Sequence, residues 1–255
     1  MLRIADEIRL APTAHGLTLG DIPAPALHRL LADATASEEA PDKKLDAAYL
    51  IGTVAFCLAE PLVGPALRGH WLCGADPAGV ALTPRFEKWT EDGETGVEQV
   101  FDICLDPSLL AFDRHADATR FAQTVQDLIT PLCVAINATT GLSRPALFML
   151  VSDSFAYAFL AHGRQLRQQD HAMALALAAF GQRGTRLFSK KLRFEHISLP
   201  EAPEIGEWIR VRGGCCRAYT RPGKPDYCTT CVLRDDQSRT ERYRDHLRRI
   251  WLAQD

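Results

Sequence analysis

Apolar residues recur along this chain with two periods, and the changes of period divide it into elements. Residues 1–23 show only weak periodicity. After Pro23 and Pro25, Ala26-Leu27-His28-Arg29-Leu30-Leu31 predicts a short helix, and the polar stretch Ser37–Asp42 a connection. Ala47, Leu50, Ile51, Val54, Ala55, Cys57 and Leu58 fall at helical spacing. They predict a long helix from Lys43 to Arg68, kinked or ended by Pro61 and Pro65. The period then drops to two. Val97, Gln99, Phe101, Ile103 and Leu105 alternate with Glu98, Val100, Asp102 and Cys104, following an arm with Val80, Leu82, Phe86 and Trp89. A β-hairpin turning at Glu91–Gly96 is expected.

Helical spacing returns with Phe121, Val125, Leu128, Ile129 and Leu132 behind a capping Asp117. Gly141 and Pro145 separate this helix from one with Leu147, Leu150, Val151, Ser154, Phe155 and Ala158 on one face, which Gly163 is expected to stop. Residues 170–180 are Ala-rich and helical, closed by Gly181. Past Gly184, Leu192, Phe194, His196 and Ser198 alternate, and Ile205, Trp208 and Ile209 do so less cleanly, giving short strands. Ser238 and Glu241 form a capping box for a last helix. Its apolar stripe is Tyr243, Leu247, Ile250 and Trp251, with Arg239, Arg242, Arg248 and Arg249 facing outward. The fold class expected is α+β: mainly helical, with a β-hairpin or small antiparallel sheet and a C-terminal cysteine segment. The expected division is 1–184 and 185–255.

Composition changes this picture little. Apolar residues at 47% and charged residues at 24% are ordinary for a globular chain. No apolar run approaches the ~20 residues of a membrane span. The start Met-Leu-Arg-Ile-Ala-Asp-Glu is too acidic for a signal peptide. A cytoplasmic protein, or one held loosely at the inner face of the membrane, is expected. Charge changes it more. Residues 1–182 carry 13 Lys+Arg against 22 Asp+Glu, and residues 183–255 carry 16 against 10. The positive final third suits an anionic ligand or an acidic electron donor. With a net charge of −3 and an amphipathic stripe in the last helix, the arginine-rich stretch 239–249 is not read as a nucleic-acid site.

The candidate chemistry is in the cysteines. Cys57, Cys73, Cys104 and Cys133 lie in apolar segments and read as structural thiols. Cys215, Cys216, Cys228 and Cys231 lie within seventeen residues. Cys228-Thr-Thr-Cys231 alone suits zinc, a redox dithiol or an iron–sulfur centre. The adjacent pair Cys215-Cys216 discriminates further. Neighbouring side chains of an extended chain diverge, so closing both on one tetrahedral ion needs unusual backbone, which Gly213 and Gly214 could supply. A [2Fe–2S] cluster offers two metal centres and accepts more divergent ligands. Zinc and a free dithiol stay open. Arg217, Tyr219, Arg221, Pro222, Gly223 and Lys224 form a cationic loop that would lower thiol pKa values and offset an anionic cluster.

Arg212-Gly-Gly-Cys-Cys-Arg-Ala-Tyr219, Pro222-Gly223 and Tyr227-Cys-Thr-Thr-Cys-Val-Leu233 resemble the C-terminal motif of FhuF-type ferric-siderophore reductases. That family carries Cys-Cys, about ten residues and Cys-x-x-Cys. Here the spacer is eleven residues, and Val232 stands where the family has proline. Outside the motif the likeness is one of size and layout, including Ser143-Arg-Pro-Ala-Leu-Phe148. The resemblance implies Cys215, Cys216, Cys228 and Cys231 as [2Fe–2S] ligands. It implies one-electron reduction of siderophore-bound Fe(III), with a hydroxamate siderophore favoured, and Fe(II) release in the cytosol. Siderophore-pocket residues do not carry over. Arg212, Arg217, Arg221 and Lys224 are expected to border the electron-exit surface. No GxGxxG opens a helix after a strand, so an external donor of ferredoxin or flavin type is expected. Two other readings remain: a zinc-stabilised four-cysteine module docking an acidic partner, and a ligand binder without redox activity.

Overall fold

The computed structural model describes residues 17–35, 42–91, 94–221 and 226–252. The fold is α+β and mainly helical. Its helices are α1 (Ala24–Thr35), α2 (Lys43–Leu67), α3 (Ala118–Thr140), α4 (Arg144–Gln165), α5 (Gln169–Phe180) and α6 (Asp236–Leu252). Its strands are β1 (Leu17–Thr18), β2 (Trp71–Ala75), β3 (Val80–Glu91), β4 (Glu94–Leu105), β5 (Leu110–Asp113), β6 (Arg193–Leu199) and β7 (Ala202–Val211). They form three small sheets, β1-β3-β4, β2-β5 and β6-β7, with antiparallel pairing throughout.

Helix α2 is the central element. Asp42 starts it by accepting the amide protons of Lys44 and Leu45. Pro61 and Pro65, expected to kink or end it, both lie inside it. An internal proline costs about 3 kcal/mol, and here burial of Leu58, Leu62, Val63 and Ala66 opposes that cost. Ser154 on α4 donates to the Gly52 carbonyl at 3.0 Å, and His162 lies against Glu60. The two helices therefore run side by side in the same direction. Phe121, Phe155, Phe159 and Phe180 close the core with edge-on and tilted ring contacts.

Gly163 does not stop α4, which continues to Gln165. A Cβ there would sit 2.6 Å from that of Ala172, so the glycine allows α5 to approach. The hairpin β3–β4 forms in the expected register, Val80 opposite Leu105 through Glu91 opposite Glu94. By length and composition alone, α2 and α4 could each cross a membrane, which corrects the expectation that no stretch could. Most of each helix is buried inside the fold.

A second apolar cluster joins β6 and β7 to α6 through Ile197, Leu199, Ala202, Ile209 and Leu247. Here the expected register of α6 is corrected. Asp235 rather than Ser238 caps the helix, accepting the Ser238 amide proton at 2.8 Å. Arg239, expected outward, is 1% exposed. It donates to Asp236 at 2.6 Å and to the Arg234 carbonyl at 2.7 Å, and lies 3.5 Å from the Cys231 carbonyl. Ile250 and Trp251, expected on the buried stripe, are exposed.

Candidate functional site

Strand β7 delivers the chain into Gly213-Gly214-Cys215-Cys216, where Asp153 of α4 receives it. Its Oδ1 accepts the Gly213 amide proton at 2.8 Å and its Oδ2 that of Gly214 at 2.9 Å. Asp153 is buried. Burial pushes its carboxyl above the usual range, opposed by Arg210, the two amides and Arg212. The Arg210 guanidinium packs over the Tyr157 ring and donates to the Asp153 carbonyl. Burial pulls Arg210 down to about 10.

The two glycines do not take the left-handed backbone; that role falls to Arg217, with φ 61°. They permit close approach instead. A Cβ on Gly213 would lie 1.8 Å from Ser189 Oγ, and one on Gly214 would lie 3.1 Å from the Met149 backbone. Gly213→Ala is expected to destabilise the fold by about 1–3 kcal/mol through overpacking. Thermal denaturation of that variant alone and combined with Ser189→Gly checks this. The double variant should recover most of the loss.

Two more anchors hold the loop. Arg217 donates to Asp42 Oδ2 at 3.1 Å, as does Thr220 at 3.1 Å, so the carboxylate that caps α2 also ties down the cysteine segment. Arg234 donates to the Cys228 carbonyl at 3.2 Å, to Ser238 at 2.8 Å and to Asp226 at 2.8 Å, fixing the Cys228–Cys231 knuckle. Of the cationic residues expected at an exit surface, Arg212 faces the thiols. Arg217 turns to Asp42, and Arg221 lies over the Tyr49 ring at 5.7 Å. Lys224, with Pro222 and Gly223, lies outside the described residues.

Of the four sulfurs, Cys216 and Cys228 are paired by a hydrogen bond, while Cys215 and Cys231 act on the others only electrostatically. The bond from Cys228 holds Cys216 down at about 5, burial opposes this, and Arg212 assists; Cys228 keeps the shared proton and is pushed up. Burial raises Cys215. Burial lowers and the two thiols raise Arg212, and the net shift is upward. Backbone amides donate to three of the sulfurs: Arg217 to Cys215, Ala218 to Cys216 and Leu233 to Cys231, the last at 3.4 Å. Such donors suit anionic sulfur. Among the described residues, no group of three or more His, Cys, Asp or Glu side chains is arranged to hold a metal ion. The four thiols have the donor chemistry of a [2Fe–2S] site, but in this arrangement they are not positioned around a common centre.

Cys216 and Cys228 also form part of the wall of a large cleft of about 1420 Å³ between α2, α4, the β3–β4 hairpin, β7 and α6. Its charges differ from the positive surface expected of the final third. Arg85, Arg164, Arg210 and Arg212 face six carboxylates: Glu60, Glu87, Glu98, Asp102, Asp153 and Glu207. Arg85 pairs with Asp102 at 2.8 Å and with Glu87, and Arg164 pairs with Glu207 at 3.2 Å. Cys57, expected as a purely structural thiol, is half-buried in the cleft wall, and burial raises its pKa.

Sequence reasoning passed over Asp153 and Arg234, and placed Arg239 outward. Asp153 carried a signal: it is the sole Asp, Glu, Lys or Arg between Arg144 and Arg164, inside an apolar helix. A lone acid there needs partners. Comparison with protein-family models and with curated proteins gives no match.

Proposed function

We propose that the protein is a ferric-siderophore reductase. Cys215, Cys216, Cys228 and Cys231 bind a [2Fe–2S] cluster, and the cleft receives the ferric chelate. The observation that carries this reading is the opening of Cys216 and Cys228 onto a cleft of about 1420 Å³. Pockets for drug-sized ligands usually span about 300–1,000 Å³, so a bulky chelate has room here.

When bound, the cluster supplies single electrons at low potential, which four-thiolate ligation favours over mixed histidine ligation. The chain's own residues supply the rest. Asp153, Arg234 and Arg239 hold the thiol segment against α4 and α6. Arg212 places positive charge beside Cys216 and Cys228. Hard oxygen donors hold Fe(III) far more tightly than Fe(II). One added electron therefore loosens the substrate's iron. The same preference makes reduction uphill, by about tenfold in equilibrium for each ~59 mV between donor and substrate. Removal of Fe(II) by other ligands then draws the reaction forward. The electrons come from an external ferredoxin- or flavin-type donor, and a hydroxamate chelate is the favoured substrate. The setting is the cytoplasm.

Purification without air, followed by metal and sulfide analysis, tests this. Brown protein with about two irons and two sulfides per chain is expected. After chemical reduction, a ferric trihydroxamate should yield Fe(II) to a ferrous-specific chelator. Colourless protein with one zinc would overturn the reading in favour of the zinc-stabilised docking module. Brown protein that reduces no ferric chelate would leave a ligand binder.

A further inference from the structure

The cleft has two ends. Tyr49 on α2, beneath Arg221, and Asp153 on α4, beneath Gly213 and Gly214, mark the thiol end. Glu60 and His162 lie further along the same two helices. At 1.5 Å per residue they are about 16 Å and about 14 Å from those markers. We infer that this remote end is a recognition site for a protonated amine, with the Glu60 carboxylate as its acceptor. This deepens the proposed function and rests on it: the substrate becomes an elongated ferric chelate. Its iron lies by Cys216 and Cys228, and a cationic group lies about 15 Å away.

The argument is one of unmatched charge in the cleft wall. Near Glu60, Arg164 is already paired with Glu207, which also accepts the Tyr243 hydroxyl proton at 2.7 Å. On the hairpin, Arg85 is engaged by Asp102 and Glu87. Arg210 and Arg212 belong to the thiol end, beside Asp153 and the cysteines. Among the described residues, Glu60 has only His162 beside it. Its Oε2 lies 3.5 Å from His162 Nε2, out of hydrogen-bonding alignment. Among the described residues, its buried Oε1 has no hydrogen-bond partner, and neither has the His162 Nε2 behind it. His162 is 3% exposed. Burying a carboxylate oxygen without a donor is costly. The cost falls when a ligand brings N–H donors and a positive charge. A protonated amine supplies both, and a small turn of the Glu60 side chain presents the oxygen to it. An uncharged or anionic tail supplies no such match.

The test separates binding from redox chemistry by using gallium(III), which is not reduced under these conditions, in place of iron. Two complexes are compared on the holoprotein by calorimetry: a linear gallium trihydroxamate ending in a primary amine, and its N-acetylated form. The wild type is expected to bind the amine-bearing complex about tenfold more tightly, the scale of one partly desolvated ion pair. Glu60→Gln should bring the two within about twofold by weakening the amine-bearing complex alone. Glu60→Asp, which retracts the charge by one methylene, should keep part of the preference and replaces the Gln variant if that one fails to fold. Equal binding of the two complexes by the wild type overturns the amine site and leaves the reductase reading standing. So does a preference that survives Glu60→Gln. Failure of both complexes to bind overturns the two together.

Discussion

Cys228→Ser should give a colourless protein that has lost most of its iron and at least about 90% of its ferric-chelate reduction. A serine oxygen is a hard donor with a pKa far above that of a thiol, and it replaces a soft thiolate poorly around iron. Visible absorption, iron and sulfide content, and the rate of Fe(II) capture read the outcome. Cys73→Ser is the control, because a hydroxyl there can keep the bond that the Cys73 thiol makes to the Ala111 carbonyl. Full colour retained in Cys228→Ser would sink the cluster assignment.

Asp153→Ala is expected to be the most destabilising change in the site. It strands the amide protons of Gly213 and Gly214 and removes the carboxylate beside Arg210. Removing one partner from a buried charged network costs about 3–5 kcal/mol. For a chain of this size each kcal/mol lowers the melting temperature by about 2–4 °C, giving a fall on the order of 10 °C. The loop should loosen as well, so the variant should lose its visible absorption faster than wild type when challenged with an iron chelator. Asp153→Asn keeps one acceptor but turns an NH2 toward the other amide, and should fall between the two. An alanine variant with unchanged melting temperature and unchanged chelator resistance would show that the carboxylate does not hold the loop.

The cysteine quartet stood out in the sequence because its four members lie close together, and their side chains have few ordinary structural uses in that density. The long helices were legible because α2, α3 and α4 each carry an apolar stripe long enough to fix a period. The strands β2 and β5 were not, because at five and four residues they are too short to establish alternation. The register of α6 was misjudged for a different reason. Arg239 was placed outward because it is charged, whereas Asp236 and the Arg234 carbonyl satisfy it inside the protein. The contacts that position the site were beyond periodicity altogether. Asp42 meets Arg217 across 175 positions of chain, and Asp153 meets Gly213 across 60. Each partner alone looks like an ordinary cap or an isolated buried acid.

That separation bears on how the protein is made. Asp42 and Asp153 leave the ribosome well before Cys215 does, and amino-terminal segments generally fold first during synthesis. The seat for the sulfur-bearing segment can thus be standing when that segment emerges. Any group the four sulfurs take up would then be acquired last, onto a prepared platform, and the thiols would spend little time in a loose chain where a stray ion or an oxidant could capture them.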